Sequence, residues 1–236
     1  MINLDPIRLS EAVSAICPDI EKRVKAREPK LDERVLWYEL SCCLLSSQVP
    51  YPLAVAAADA IDQCNLIFDS GVAESELASS LNEVLTGRLA IDGRHRSYRF
   101  PTLRANQLAS IRTAVTQEAG TLKCLLQSFQ NASEARSWLV VNAPGIGPKQ
   151  ASMFLRNTCF SYDLAIIDRH VLDYMAAIGV YSKKSRSIFG LANYQKYEQT
   201  LVSHSAGMGV KVGLLDWAIW IVMRAAKSLP STRVIS

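Results

Sequence analysis

Within this sequence of 236 residues, Lys149 is the side chain whose setting most favours covalent chemistry. It follows Pro144-Gly145-Ile146-Gly147-Pro148, and the segment from Trp138 to Arg156 reads as helix, tight hairpin, helix. Gly145 and Gly147 are expected to allow positive φ and close approach of another backbone. Pro148 suits the first position of a helix, where its missing N–H costs nothing, which puts Lys149 at the second. The hairpin amides and the helix start then present free donors, as a phosphate requires. An ordinary lysine titrates near 10.4, so only about one in 2500 is neutral at pH 7. A helix N-terminus and burial both disfavour the ammonium, and a discharged amine is what forms a Schiff base. Read alone, the same residues also suit an ordinary corner between helices carrying a surface lysine.

Ala165-Ile166-Ile167-Asp168-Arg169-His170-Val171 brings a buried apolar stretch to an acid and then starts a helix. Asp168 is expected to be the N-cap, accepting backbone N–H bonds that keep it ionised. A carboxylate fixed there can stabilise positive charge developing on a sugar. In isolation it reads equally as a structural cap.

The elements that must position these residues are helical. Apolar residues recur at helical spacing in Leu36/Leu40/Cys43/Leu44, Leu77/Leu81/Val84/Leu85, Leu108/Ile111/Val115 and Leu122/Leu125/Leu126/Phe129. The pattern continues in Ala135/Trp138/Leu139 (capped by Ser133), Ala151/Phe154/Leu155, Val171/Leu172/Met175, Tyr194/Tyr197/Leu201 and Leu214/Ala218/Ile221/Val222. Strand alternation does not recur, and Asp92-Gly93 leads into an arginine cluster rather than joining two alternating strands. The expectation is an all-α protein of about ten helices. Breaks fall at Pro50–Pro52, Asp92–Pro101 and Tyr181–Ser187, which suits two helical lobes, the chain ends in one and the middle in the other.

Hydrophobic residues make up 49% of the chain and charged ones 20%, enough for a real core. The longest apolar run, Leu214 to Met223, is interrupted by Asp216 and falls short of a membrane span. No basic leader precedes an apolar stretch, so a cytoplasmic protein is expected. Six cysteines form no C-x-x-C pair, and none follows Cys159, which argues against disulfides, zinc and a C-terminal iron–sulfur cluster. Net charge is +4, but its distribution is uneven. Residues 59–87 hold six acids and no Lys or Arg, whereas residues 88–112 hold six arginines against Asp92. One face turned to phosphate and another to water would produce this, as would two ordinary solvated helix faces.

Together these residues resemble the helix-hairpin-helix glycosylase superfamily, and within it the type-2 8-oxoguanine DNA glycosylase/lyase of archaea and some bacteria. Gly145 to Asn157 is similar to that family's Gly-Ile-Gly-x-Lys-x-Ala-Ser-x-Phe-Leu-Arg-Asn, and Ala165 to His170 to its Ala-Ile-Ile-Asp-Arg-His. His95 to Arg99 and Leu215 to Trp220 extend the likeness, which covers roughly residues 35–227 of a single 1–236 domain. The resemblance implies a two-subdomain fold with a cleft between the lobes, into which a damaged base is flipped from duplex DNA. It implies that Lys149 attacks C1′, expels the base and holds the sugar as a Schiff base until β-elimination nicks the strand. Asp168 would stabilise the oxocarbenium-like transition state. No organic cofactor is implied; a monovalent cation at the hairpin carbonyls is. The expected state is a monomer on DNA at the nucleoid.

The same resemblance makes Gln48 the side chain that enters the gap left by the flipped base, with solvent-facing helix end as the plain alternative. Arg96, Arg99 and Arg104 would clamp phosphates. Trp220 and Asp216 would line the base pocket, where an aromatic face helps hold a base. Ser97 departs from the aromatic residue of close relatives, and the chain runs beyond Lys227, near which those relatives end. Rival readings are a lyase for oxidised pyrimidines or abasic sites, and a non-catalytic helix-hairpin-helix DNA-binding module in which Lys149 and Asp168 are dispensable. A Ser/Cys–His hydrolase and a dinucleotide site at Gly207–Gly213 lack their motifs.

Overall fold

The computed structural model describes residues 5–28, 32–68, 71–181, 188 and 190–228. It divides into two compact units, one of residues 29–160 and one of residues 1–28 with 161–236. Among the described residues there are eleven α-helices and one two-stranded ribbon.

The unit of residues 29–160 contains α2 (Glu33–Leu45), α3 (Tyr51–Gln63), a 3-10 turn (Leu66–Phe68) and α4 (Glu74–Thr86). The ribbon β1 (Arg88–Ile91) and β2 (Arg94–Ser97) follows, then α5 (Pro101–Ala119), α6 (Leu122–Ser128), α7 (Ala132–Asn142) and α8 (Pro148–Asn157). The expected leucine stripes close its core: Leu36, Leu40, Leu81, Leu108, Leu139 and Phe154 are fully buried. The other unit is built from α1 (Pro6–Lys25), α9 (Arg169–Ala177), α10 (Leu191–Gly207) and α11 (Val212–Ser228) around Val13, Tyr174, Leu201 and Ile219.

Several expectations need correction. The arginine cluster does contain a hairpin: β1 and β2 pair antiparallel, with Leu89 opposite Arg96 and Ile91 opposite Arg94. Asp92 (φ +48°) and Gly93 (φ +72°) form its two-residue loop, both in the left-handed region, as a type I′ turn requires. β2 is exposed throughout, so no apolar alternation marked it. The cap of α7 is Asn131, not Ser133: Asn131 Oδ1 accepts the Glu134 N–H at 3.0 Å, and the Glu134 carboxylate accepts from Gln130 N–H at 3.1 Å. α1 and α3 carry no stripe noted above; α3 buries alanines instead.

Neither Pro50–Pro52 nor Asp92–Pro101 marks a unit boundary. Pro50 caps α3 and Pro101 opens α5, so both belong to helix starts within one unit. Of Tyr181–Ser187, residues 182–187 lie outside the described residues. The boundary at Phe160 is made by a Schellman end to α8, where Phe160 N–H reaches Leu155 O at 2.9 Å and Cys159 N–H reaches Arg156 O at 3.0 Å. Cys159, not glycine, adopts the left-handed conformation there (φ +58°). No single helix among the described residues is long and apolar enough to cross a membrane.

Candidate active site

The hairpin ahead of Lys149 is a type II turn. Ile146 N–H closes it on Ala143 O at 3.0 Å, with Pro144 and Gly145 at its centre. Gly145 has φ +85°, and a Cβ there would come within 2.6 Å of the Gln107 amide. The conformation is what calls for glycine here; the Gln107 amide ends a flexible side chain that could shift aside. Gly147 differs from the expectation: it is the N-cap of α8 at φ −88°, ψ 175°, an extended conformation open to any residue. Pro148 and Lys149 take the first two helical positions, and no side chain caps the helix. Its first-turn amides are thus left for an external acceptor.

α8 is held to α7 and α2 through a buried face of Ala151, Phe154 and Leu155. Arg136, 2% exposed, donates to Ser152 Oγ at 3.3 Å, and Asn157 donates to Glu39 at 3.3 Å. Cys43 of α2 is fully buried; burial and the Glu39 carboxylate push its thiol well up, while the Arg156 and Lys149 cations pull the other way. The neighbouring sulfur is thereby kept as an unreactive thiol, leaving half-buried Lys149 as the amine at this helix start.

Asp168 stands in the other unit as the N-cap of α9, accepting the Val171 N–H at 2.9 Å. The run that delivers it, residues 164–167, is buried, lies outside any helix and pairs with no strand among the described residues. Side chains satisfy its backbone instead. Ala165 N–H donates to Glu198 Oε1 at 2.8 Å and Ile166 N–H to the Asp216 carboxylate. The Tyr194 hydroxyl accepts from Ile167 N–H and donates to Ala165 O, both at 2.8 Å. Gly213 N–H reaches Tyr162 O at 3.0 Å, and a Cβ on Gly213 would lie 2.8 Å from that same oxygen. Sequence reasoning missed Tyr194, Glu198 and Gly213. Their signal was weak: polar groups on apolar helix faces, and a glycine opening a helix.

The remaining predicted residues fall out as follows. Gln48 is exposed in the turn after α2, at φ +62°. Arg96 is exposed on β2, and exposed Arg99 lies 4.8 Å over the Phe100 ring. Arg104 is 6% exposed and bonded to Gln107 and Ser47, so it does not belong with the phosphate clamps. Trp220 is half-buried with Arg224 4.9 Å over its ring. Asp216 was expected at a base pocket; at 1% exposure its carboxylate braces Ile166 instead. Lys227 bridges to Asp173 at 2.7 Å and lies 3.3 Å from His170 Nδ1. Among the described residues no cluster of three His, Cys, Asp or Glu could hold a metal.

The sequence profile of the family described as 8-oxoguanine DNA glycosylase matches residues 20–210. An 8-oxoguanine DNA glycosylase/AP lyase of Sulfurisphaera tokodaii is 34% identical over 202 residues, 83% of this chain and 87% of that one. Its counterpart in Korarchaeum cryptofilum is 30% identical, covering 86% and 87%. The crystal structure of the 8-oxoguanine DNA glycosylase of Thermotoga maritima superposes with a TM-score of 0.66 at 28% identity, covering 92% of this chain and 94% of that one.

Proposed function

Because the chain belongs to the 8-oxoguanine DNA glycosylase family, we propose that it excises 8-oxoguanine from duplex DNA with Lys149 as nucleophile and then nicks the strand as a lyase. The observation that carries this reading is Lys149 at the second position of an uncapped helix, directly behind a type II turn whose positive φ at Gly145 favours glycine. The turn and the first-turn amides of α8 take a backbone phosphate, which fixes the lysine relative to the sugar.

The Lys149 amine attacks C1′, and the C1′–N9 bond breaks with its electron pair leaving on the base, which takes up a proton. The sugar ring opens to an imine on Lys149. Loss of a C2′ proton expels the 3′ phosphate, and water hydrolyses the imine to return the free amine. The Asp168 carboxylate stabilises the positive charge that builds on the sugar as the base departs. Exposed Gln48 fills the gap in the duplex, exposed Arg96 and Arg99 hold phosphates, and Trp220 stacks on the base. No organic cofactor takes part. The carbonyls of Pro144, Gly145 and Ile146 accept no hydrogen bond among the described residues, so the hairpin keeps oxygen donors suited to a monovalent cation beside the phosphate. The chain acts as a monomer in the cytoplasm, on the nucleoid.

Borohydride trapping tests the reading. Incubation with an 8-oxoguanine:cytosine duplex and borohydride gives a covalent adduct that Lys149→Gln abolishes and Lys25→Gln preserves. An adduct that persists in Lys149→Gln refutes the assignment. Parallel duplexes with thymine glycol or a plain abasic site separate excision of oxidised purine from the other lesions.

A further inference from the structure

We propose that Arg104 is the positioning residue that locks the Gln48 turn to the Lys149 hairpin, so that gap-filling and phosphate-gripping elements meet DNA as one rigid piece. The inference rests on the reading of Gln48 given above. All the residues concerned lie in the unit of residues 29–160.

Gln48 holds φ +62°, a conformation that a residue with a Cβ adopts only when its surroundings impose it. Two carbonyls of its turn are held from outside. The Tyr98 hydroxyl donates to Leu45 O at 2.7 Å, and Arg104 Nη2 donates to Ser47 O, the residue before Gln48, at 3.3 Å. The same guanidinium donates through Nη1 to Gln107 Oε1 at 2.7 Å. The Gln107 amide in turn lies against Gly145, close enough that a Cβ there would approach it to 2.6 Å. One continuous run of contacts thus joins Gly145 to Ser47 through two side chains of α5. Arg104 is 6% exposed, and its Nε has no hydrogen-bond acceptor among the described residues. A guanidinium so deeply buried and incompletely paired contributes little to stability, whereas its planar fork fixes two acceptors relative to each other.

The test is a double-mutant cycle in single-turnover excision, run on two duplexes: 8-oxoguanine opposite cytosine, and 8-oxoguanine opposite an abasic analogue that leaves no orphaned base. On the first duplex Gln48→Ala and Arg104→Met each slow excision about tenfold, well short of the hundredfold that misplaced reacting groups can cost. The double variant is no slower than Gln48→Ala, because both changes remove one function. On the second duplex the deficits shrink, since little remains to be filled. Arg104→Lys keeps the charge without the fork and stays impaired. Additive losses, or an equal Arg104→Met deficit on both duplexes, overturn the proposal and leave a folding role. An impaired Gln48→Ala beside an unimpaired Arg104→Met overturns it while sparing the Gln48 reading; an unimpaired Gln48→Ala overturns both. If Arg104→Met does not fold, Gln107→Met breaks the same run from its other end and must show the same pattern.

Discussion

Lys149 and Asp168 are held in two different ways. The backbone that presents Lys149 is shaped by residues beside it in the chain: the turn at Pro144-Gly145, the proline that opens α8 and the helix itself. From outside, α2 and α5 brace it. Asp168 ends a buried non-helical run whose backbone is secured by residues far ahead in sequence, Tyr194, Glu198 and Asp216. The nucleophile's geometry is therefore a local property, and the carboxylate's is a property of how α10 and α11 pack. The contrast separates two kinds of damage. Changes near Lys149 act where they are made, whereas changes on α10 or α11 reach the arm through hydrogen bonds from residues distant in the chain.

The largest expected effect comes from the acid itself. Asp168→Asn keeps a competent N-cap but removes the charge, so single-turnover excision falls by about a thousandfold while the thermal midpoint barely moves. A large fall in the midpoint would make Asp168 chiefly a cap and dissolve the comparison. Next is Tyr194→Phe, which strips one oxygen and orphans both Ala165 O and Ile167 N–H. Chemical denaturation should show a loss of about 3 kcal/mol. The chemical step should slow while DNA affinity stays near wild type; an unchanged chemical step would show that the arm does not need its brace. Gly145→Ala should do the converse. Its left-handed φ costs about 1–2 kcal/mol for any other residue, and titration with lesion-free duplex should show weaker DNA binding by the corresponding factor.

The smallest effect is a pH dependence confined to the Asp168 unit. Burial depresses the imidazoles of His170 and His204 below the ordinary 6.5, for His170 with Lys227 adding to the push and Asp168 opposing it. The folded state thus binds these protons more weakly than the unfolded chain. As pH falls below 6.5 the unfolded chain protonates first, so stability is full above that value and declines toward pH 5, by under about 1 kcal/mol per imidazole after solvent screening. Thermal melts across pH 7 to 5 should flatten in a His170→Asn/His204→Asn variant; an equal slope in that variant would locate the protons elsewhere.

The difference in placement also explains what could be read in advance. The leucine stripes, the helix-hairpin-helix and the cap at Asp168 each rest on residues a few positions apart, and the structure contains all of them. Gly147 was misjudged because a glycine's type does not tell whether its φ is positive; only the closed turn at Gly145 does. The β-ribbon was hidden because both sides of β2 face solvent, leaving its Asp-Gly loop as the sole signal. The unit boundary after α8 was hidden by Cys159, which takes a conformation that normally announces itself as glycine. The braces on residues 165–167 were the least legible: Tyr194 reads as part of an apolar stripe, Asp216 as a pocket acid and Glu198 as an ordinary helix residue, and only the folded packing shows that all three satisfy one backbone run.

That unpartnered run sets how the molecule should fail when heated. Leu164-Ala165-Ile166-Ile167 is apolar and buried, and among the described residues its backbone N–H groups are satisfied by side chains from α10 and α11. Once those helices loosen, the run becomes a bare strand able to pair with its copy in another chain. Heat-stressed protein should therefore aggregate from this arm, and the rate should follow the loosening of α10 and α11 rather than the melting of the hairpin unit.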